Sequence, residues 1–574
     1  MKKELTEFLK LRDFILSGPD YTTCREKFYW PRLVKFNWAL DYFDYIARGN
    51  NNRALIYADE AGAEKQVTFE EMRQKSNQVA NLLIDLGLKK GERVLVMMDH
   101  SVELHQILLG IIKAGGVIIP VSTLLSPDDV ADRITAAEIK FAFAHREYLD
   151  KFARADSLTA KIVVDTAPDN PPATWIDFAT VAKLPTEFQP PFVTYSTDEL
   201  CSFFTSGTTA KPKLVIHTHN YPVGHLTTTY WLGCKKGDIH YNISAPGWAK
   251  YAWSSFFAPW NAEATIFVYR YKRFIARDVL SMIEKYRVTT LCAPLSVWKL
   301  FLVEDLSAYR FAFKQLVSAG EPLNPEILRQ VKEKLGLDLR EGYGQTESTL
   351  MIGNFIGEPI REGSLGKVAP GYNIVPVNEL LDPVKFNEDG QLAVEIYPVK
   401  PLGLLYALND PEKNAQVFKG GYYLTGDTAT VDEDGYFQFI GRTDDVFKSL
   451  DYRISPFEVE SELMEHQAVL EVAVVPTTDE RQRIVPKAFI VLKPGFNPNR
   501  AMALEIFRFI RERMAPYKRP RTIEFMREFP KTISAKVMRK DLKAYDQELK
   551  NKGVRGEFEF KESEFAAELD LSRK

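Results

Sequence analysis

Along the first half of the chain, apolar residues alternate between helical spacing and short continuous runs. This alternation limits the folds open to the chain. The spacing predicts a helix over 69–86, with Gly87 as its stop, and a strand over 93–98. A second helix follows over 102–113 and a second strand over 116–121. The rhythm returns after Asp278, with helices predicted near 279–286 and 296–303 and strands at 288–293 and 315–318. A β-α-β-α order argues for an α/β fold of mostly parallel sheets covered by helices.

A chain of 574 residues exceeds what one core accommodates, so it divides into domains. Near residue 420 the pattern changes to short strands over 421–425, 429–432 and 436–440, with Asp434-Gly435 as a hairpin turn. A smaller α+β region follows, with helices expected at 456–465 and 500–514 and strands at 472–476 and 488–492. The boundary is placed at Arg442. This gives a large domain over 1–442, which includes a β-rich subdomain, and a small C-terminal domain over 443–574. The tail from about residue 547 is charge-rich, which predicts partial exposure.

Net charge is −3, from 74 basic and 77 acidic residues, which gives no support for nucleic acid or an anionic membrane as a bulk partner. Cys24, Cys201, Cys234 and Cys292 are far apart and form no C-x-x-C pair, in keeping with reduced thiols and a cytoplasmic location. The N-terminus lacks an apolar signal region. The most apolar stretch, 107–121, is interrupted by Lys113 and Gly115-Gly116 and is too short to span a bilayer, so no integral membrane segment is expected. Whether the chain forms a homo-oligomer is left open.

After the apolar run 200–204 comes Thr205-Ser206-Gly207-Thr208-Thr209-Ala210-Lys211-Pro212-Lys213. Small residues, hydroxyls and lysines suit a loop that turns several N–H groups toward one phosphate. The bland alternative is a polar turn, and the spacing is not that of a Walker A loop. Five further segments decide between them. They are Ser318-Ala319-Gly320-Glu321-Pro322-Leu323, Gly342-Tyr343-Gly344-Gln345-Thr346-Glu347, Tyr422 to Asp427, Gly441-Arg442-Thr443-Asp444-Asp445 running on to Glu460, and Pro530 to Lys536.

In this order and spacing the six segments resemble the acyl-adenylate-forming (AMP-binding) superfamily. Phe36 to Leu40, Gly247-Trp248 and Ser318 to Pro325 make the medium-chain acyl-CoA synthetases its most similar branch. The resemblance implies an acid–thiol ligase that uses ATP, Mg²⁺ and CoA. A carboxylate is joined to AMP with release of pyrophosphate, and the acyl group then passes to CoA. It implies that Thr205, Ser206, Gly207, Thr208, Thr209 and Lys213 grip the β- and γ-phosphates, and that Thr346 bonds the α-phosphate. Glu347 is the implied Mg²⁺ ligand. Gly320, Glu321 and Pro322 line one adenine face and Tyr343 the other. Asp427 holds the ribose, Arg442 donates nearby, and Arg453 pairs with phosphate. Lys536, from a mobile small domain, bridges the carboxylate and the α-phosphate. Asp444 is the hinge on which that domain rotates between half-reactions.

Several family glycines are replaced, by Ala210, Leu214, Asp451, Ser455 and Ala535. An added Cβ at positive φ costs roughly 1–2 kcal/mol, and Asp451 falls beside the implied pantetheine path. Two other functions therefore stay open: transfer of the acyl group to a carrier-protein thiol, and a catalytically weakened nucleotide-binding regulator. His217 and His219 read as incidental residues at a strand end rather than a metal pair. Acetate-activating relatives carry tryptophan where this chain has Gly344. An open pocket bounded by Trp248, Tyr251, Ala319 and Gly344 is therefore expected, taking medium-chain, branched, cyclic or aromatic acids.

Overall fold

The computed structural model describes residues 2–165, 171–205, 213–321, 323–449, 452–479, 483–532 and 537–569, with backbone alone for Tyr452 and Arg453. The chain packs as two compact units. The larger comprises Met1–Ile374, Val394–Tyr423 and Glu433–Phe437, and the smaller Val375–Ala393, Leu424–Asp432 and Gln438–Lys574.

One sheet of the larger unit has nine strands. Its centre is parallel, in the order Leu339–Tyr343, Gln315–Ala319, Thr290–Cys292, Ile239–Asn242, Thr265–Arg270, Arg53–Asp59. Antiparallel strands flank it on both sides, Ile352–Gly353 on one and Glu64–Thr68 on the other. A second sheet, of eight strands, has the parallel run Glu199–Thr205, Val117–Pro120, Arg93–Met97, Phe141–His145, Ala160–Val164, Ile176–Asp177. Lys213–Thr218 and Ala407–Leu408 extend this sheet antiparallel. The sheets are thus mixed, with parallel centres. A short connection cannot make a parallel pair, so strands joined by brief turns fall antiparallel at the flanks.

The helices begin and end where local chemistry directs. Phe69–Asp85 starts at a capping box between Thr68 and Glu71, and Gly87 lies just beyond its end at φ +85°. Val102–Lys113 starts at Ser101, whose side chain accepts from Leu104 N–H. Its last residue, Lys113, is buried. Lys113 Nζ pairs with Asp44 at 2.6 Å and donates to Ser76 Oγ and Asn77 Oδ1, so the charge that interrupts the apolar run is neutralised in the core.

The smaller unit carries a four-stranded sheet, Val469–Thr478, Ile484–Leu492, Thr522–Phe525, Glu559–Lys561, packed on helices Pro456–Met464 and Arg500–Arg513. One expectation changes here. The separate strands over 421–425 and 429–432 are one strand, Tyr422–Val431, because Gly426 bends it at φ +73° without ending it. The charged tail is partly built into the fold. Glu559–Lys561 is the fourth strand, and Phe565 is 0 % exposed in the core. A charge cluster ties the tail down: Lys487, 1 % exposed, lies 2.6 Å from Glu559, 2.7 Å from Glu524 and 2.8 Å from Asp546.

Candidate active site

In the larger unit the candidate residues collect at the carboxyl ends of parallel strands, where open α/β sheets leave a ligand-binding crevice. Ala319 ends one strand, opposite Gly342 on the next, and Tyr343 ends the latter. Gly320 follows at φ +105° and is exposed, while Glu321 is half-buried. Past Tyr343 the chain turns tightly. Gln345 N–H donates to Ser348 Oγ at 3.0 Å, and Ser348 N–H to Gln345 O at 3.2 Å. The half-buried Thr346 and Glu347 are fixed through their carbonyls. His217 Nε2 lies 2.8 Å from Thr346 O, and Leu405 N–H donates to Glu347 O at 2.7 Å. A carbonyl only accepts, so His217 carries its proton on Nε2. Burial pulls its pKa down to about 4, and that of His219 to about 3. His217 is thus a neutral support for the turn and not one of a metal pair. The loop's flanks, Thr205 and Lys213, are half-buried and directly opposite each other across an antiparallel pair. Ser206, Gly207, Thr208, Thr209 and Pro322 lie outside the described residues.

Two departures from the family pattern have structural reasons. Leu214 is 0 % exposed and packs in the apolar core of its sheet. Ser455 has φ −84°, outside the region that favours glycine. It caps helix Pro456–Met464 by accepting from Glu458 N–H, and its hydroxyl donates to Ile440 O. Ala210, Asp451, Ala535 and Lys536 fall outside the described residues.

The residues expected at the acyl pocket sit around an irregular helical segment, Ala249–Ala252, Trp253–Phe257, Ala258–Asn261, whose middle piece is π-helical. Trp248 is half-buried. Tyr251 is buried, with its hydroxyl 3.3 Å from His105 Nε2. Lys250 Nζ donates to Ala319 O at 2.8 Å. The open volume expected beside Gly344 is filled. A Cβ there would lie 2.6 Å from Thr349 O and 2.9 Å from Trp253 Cζ2, and closer still to Cη2. Gly344 lacks a side chain because the Trp253 indole, on a residue 6 % exposed, already occupies that space.

Glu341 was not singled out in the sequence. It is buried in the Leu339–Tyr343 strand, and its carboxyl accepts from Leu323 N–H at 3.1 Å, at the end of the loop that begins with Gly320. Burial pushes its pKa up to about 8, so the group is protonated at neutral pH. Its place in a short strand, just before Gly342-Tyr343, was the available signal.

The smaller unit gathers a second set. Asp427 is buried, and Arg442 Nη1 lies 3.3 Å from its Oδ1. Arg442 Nε lies 3.6 Å from the exposed Asp444. Thr443 N–H donates to Gly426 O at 2.9 Å, which holds the two strands bearing this set together. Lys448 is opposite Arg453 in a two-stranded ribbon, and Lys531 pairs with Val537 across a β-bridge.

Among the described residues the only cluster of three metal-ligating side chains is Asp99, His145 and Glu147. Arg270 bonds Glu147 and lies 3.8 Å from Asp99, so this cluster is already charge-compensated. No helix among the described residues is long and apolar enough to cross a membrane.

Comparison with known proteins assigns this α/β chain to a class. The AMP-binding enzyme family matches residues 43–397, and the AMP-binding enzyme C-terminal domain matches residues 458–536. The chain belongs to this family and is an AMP-forming acid–CoA ligase. It is 39 % identical over 548 residues to 4-hydroxybutyrate–CoA ligase 1 of Metallosphaera sedula, covering 92 % of this chain and 94 % of the relative. It is 35 % identical over 525 residues to the mitochondrial acyl-coenzyme A synthetase ACSM3 of Rattus norvegicus, covering 88 % and 90 %. The anthranilate CoA ligase AuaEII, solved with anthranoyl-AMP, superposes with a TM-score of 0.82 at 28 % identity, covering 90 % of this chain and 98 % of that one.

Proposed function

We propose that the chain joins a short carboxylic acid, of the propanoate-to-pentanoate class, to CoA through an acyl-AMP intermediate. The observation that carries the choice of acid is Trp253 packed against Gly344. It narrows the medium-chain, branched, cyclic or aromatic range expected from sequence, because the volume assigned to larger acids holds an indole. The relative named for 4-hydroxybutyrate supports the same size.

In the first step a carboxylate oxygen attacks the α-phosphorus of ATP, and pyrophosphate leaves. Thr205 and Lys213 stand where the loop between them would hold the β- and γ-phosphates. Gly320, Glu321 and Tyr343 would enclose adenine, with Glu341 holding the adjoining loop. Asp427 would accept from the ribose hydroxyls, and Arg442, already beside it, would donate. Thr346 would donate to the α-phosphate, and Arg453 would meet phosphate. Lys536 would sit at the carboxylate–phosphate junction, where charge concentrates. In the second step the CoA sulfur attacks the acyl carbon and AMP leaves, after the small domain has turned about Asp444.

Mg²⁺ fits the donors present. Glu347 is a half-buried carboxylate that follows Thr346 in the chain, and Mg²⁺ takes one or two carboxylates with phosphate oxygens completing its shell. When bound it neutralises phosphate charge. The reading extends to a cytoplasmic location, supported by four buried, free cysteines.

The test is ATP–pyrophosphate exchange and AMP release over acetate to octanoate, benzoate and 4-hydroxybutanoate, with and without CoA. Acid-dependent exchange without CoA, and AMP release with CoA that is highest for short acids, is the expected result. Highest turnover with octanoate or benzoate overturns the choice of acid, and transfer to a carrier protein but not to free CoA overturns the acceptor.

A further inference from the structure

The loop that would face adenine is tethered at both ends by side chains from other elements. Strand Gln315–Ala319 ends at Ala319, and Gly320 turns the chain at φ +105°. Gly320 is exposed, and among the described residues a Cβ on it would meet nothing within 4 Å, so packing does not fix this turn. Hydrogen bonds hold its flanks instead. At the far end Leu323 N–H donates to the Glu341 carboxyl at 3.1 Å. At the near end Lys250 Nζ donates to Ala319 O at 2.8 Å.

A tether positions its target only if its own base is fixed, and the base of Lys250 is. Its segment begins beside Gly247, where a Cβ would lie 2.5 Å from Ser122 N, so the two backbones pack directly on each other. The next residue, Tyr251, is buried, with its hydroxyl 3.3 Å from His105 Nε2. The ammonium is drawn to the loop as well. Burial pulls the Lys250 pKa below the ordinary lysine value, and the carboxylate of Glu321, in the loop itself, opposes that pull by attracting the charge. A charged donor in a desolvated place makes a stronger hydrogen bond than a neutral one. The carbonyl it holds belongs to the residue before Gly320, so the bond sets where the turn begins.

Given adenine at Gly320 and Glu321, as in the reading above, we propose that Lys250 is a positioning residue for the nucleotide: by holding Ala319 O it fixes the Gly320–Glu321 turn against the base. Its part is in nucleotide affinity and not in the phosphoryl or acyl transfer.

The experiment measures dissociation constants for AMP and for inorganic tripolyphosphate by calorimetry, at fixed Mg²⁺, in the wild-type enzyme, Lys250→Met, Lys250→Arg and Gly320→Pro. Tripolyphosphate has no base, so the ratio of the two constants on one preparation cancels any general loss. In Lys250→Met, AMP should bind about 10–100-fold more weakly, the range of one hydrogen bond to a charged group, while tripolyphosphate changes by less than about 3-fold. Lys250→Arg keeps a charged donor and should keep more of the AMP affinity. Gly320→Pro cannot hold a positive φ and should also weaken AMP selectively. Unchanged AMP binding in Lys250→Met, or equal losses for AMP and tripolyphosphate, overturns the proposal. If Gly320→Pro weakens AMP and Lys250→Met does not, only the role of Lys250 falls. If neither variant weakens AMP, the placement of adenine falls with it.

Discussion

Replacing Trp253 with alanine tests the link between one side chain and acid length. The indole fills the space beside Gly344, and its removal opens a cavity near the size that holds a benzene ring, about 150 Å³. A linear acid should extend into it by about three methylenes. At about 0.8 kcal/mol each, that is about 2.4 kcal/mol, or about 50-fold in kcat/KM. The optimum should therefore move from short acids to hexanoate or heptanoate. The same change costs about 3–5 kcal/mol of stability if the site stays empty, so Trp253→Leu, with a smaller cavity, is the companion variant and should move the optimum by less. The assay is AMP release over acetate to decanoate at saturating ATP and CoA, with thermal melting of each variant. An unchanged length profile in a folded, active variant refutes the reasoning, as does an equal loss on every acid. Gly344→Ala gives an independent check. Its Cβ meets both Trp253 and Thr349 O, so the loss it causes should be smaller in a Trp253→Ala background, though not abolished.

Three further outcomes are expected. Lys536→Ala should lower adenylation by ~10²–10³ yet spare thioester formation from supplied acyl-AMP, and near-normal overall turnover would remove it from the mechanism. Asp444→Pro, at an exposed residue beside Arg442, fixes φ near roughly −65° and should separate pyrophosphate exchange from CoA transfer; parallel loss of both would place the hinge elsewhere. Glu341, raised from 4.5 to about 8, binds a proton in the fold that it releases when unfolded. Its contribution is therefore full below pH 4.5 and falls as pH rises toward about 8, by up to about 1.4 kcal/mol per pH unit. Glu341→Gln should lose less stability than wild type between pH 5 and 8, and superimposable melting curves across that range would exclude a protonated Glu341.

The family and the ligase class of the protein were legible in its sequence. Thr205, Gly320, Thr346, Glu347, Asp427 and Arg442 stand in short segments whose chemistry and order are local properties of the chain. Helix boundaries were legible for the same reason: Thr68 with Glu71, Ser101 and Gly87 act within a turn of their own positions. The ends of strands were less so. Backbone pairing continues past the apolar run, as in Val469–Thr478, and Gly426 bends its strand without ending it. What occupies the space around a residue was not legible at all. An isolated Gly344 reads as room for a ligand, whereas in the fold it is the close approach of Trp253. Lys250 is one more charge on a helix until Ala319 O comes within 2.8 Å. Glu341 is an ordinary acid until burial in the fold desolvates it. Periodicity reports which face of an element is apolar, but not which side chain from a distant segment packs against that face. The sequence by itself therefore determined the class of chemistry, while tertiary packing decided what occupies the space around Gly344, Lys250 and Glu341.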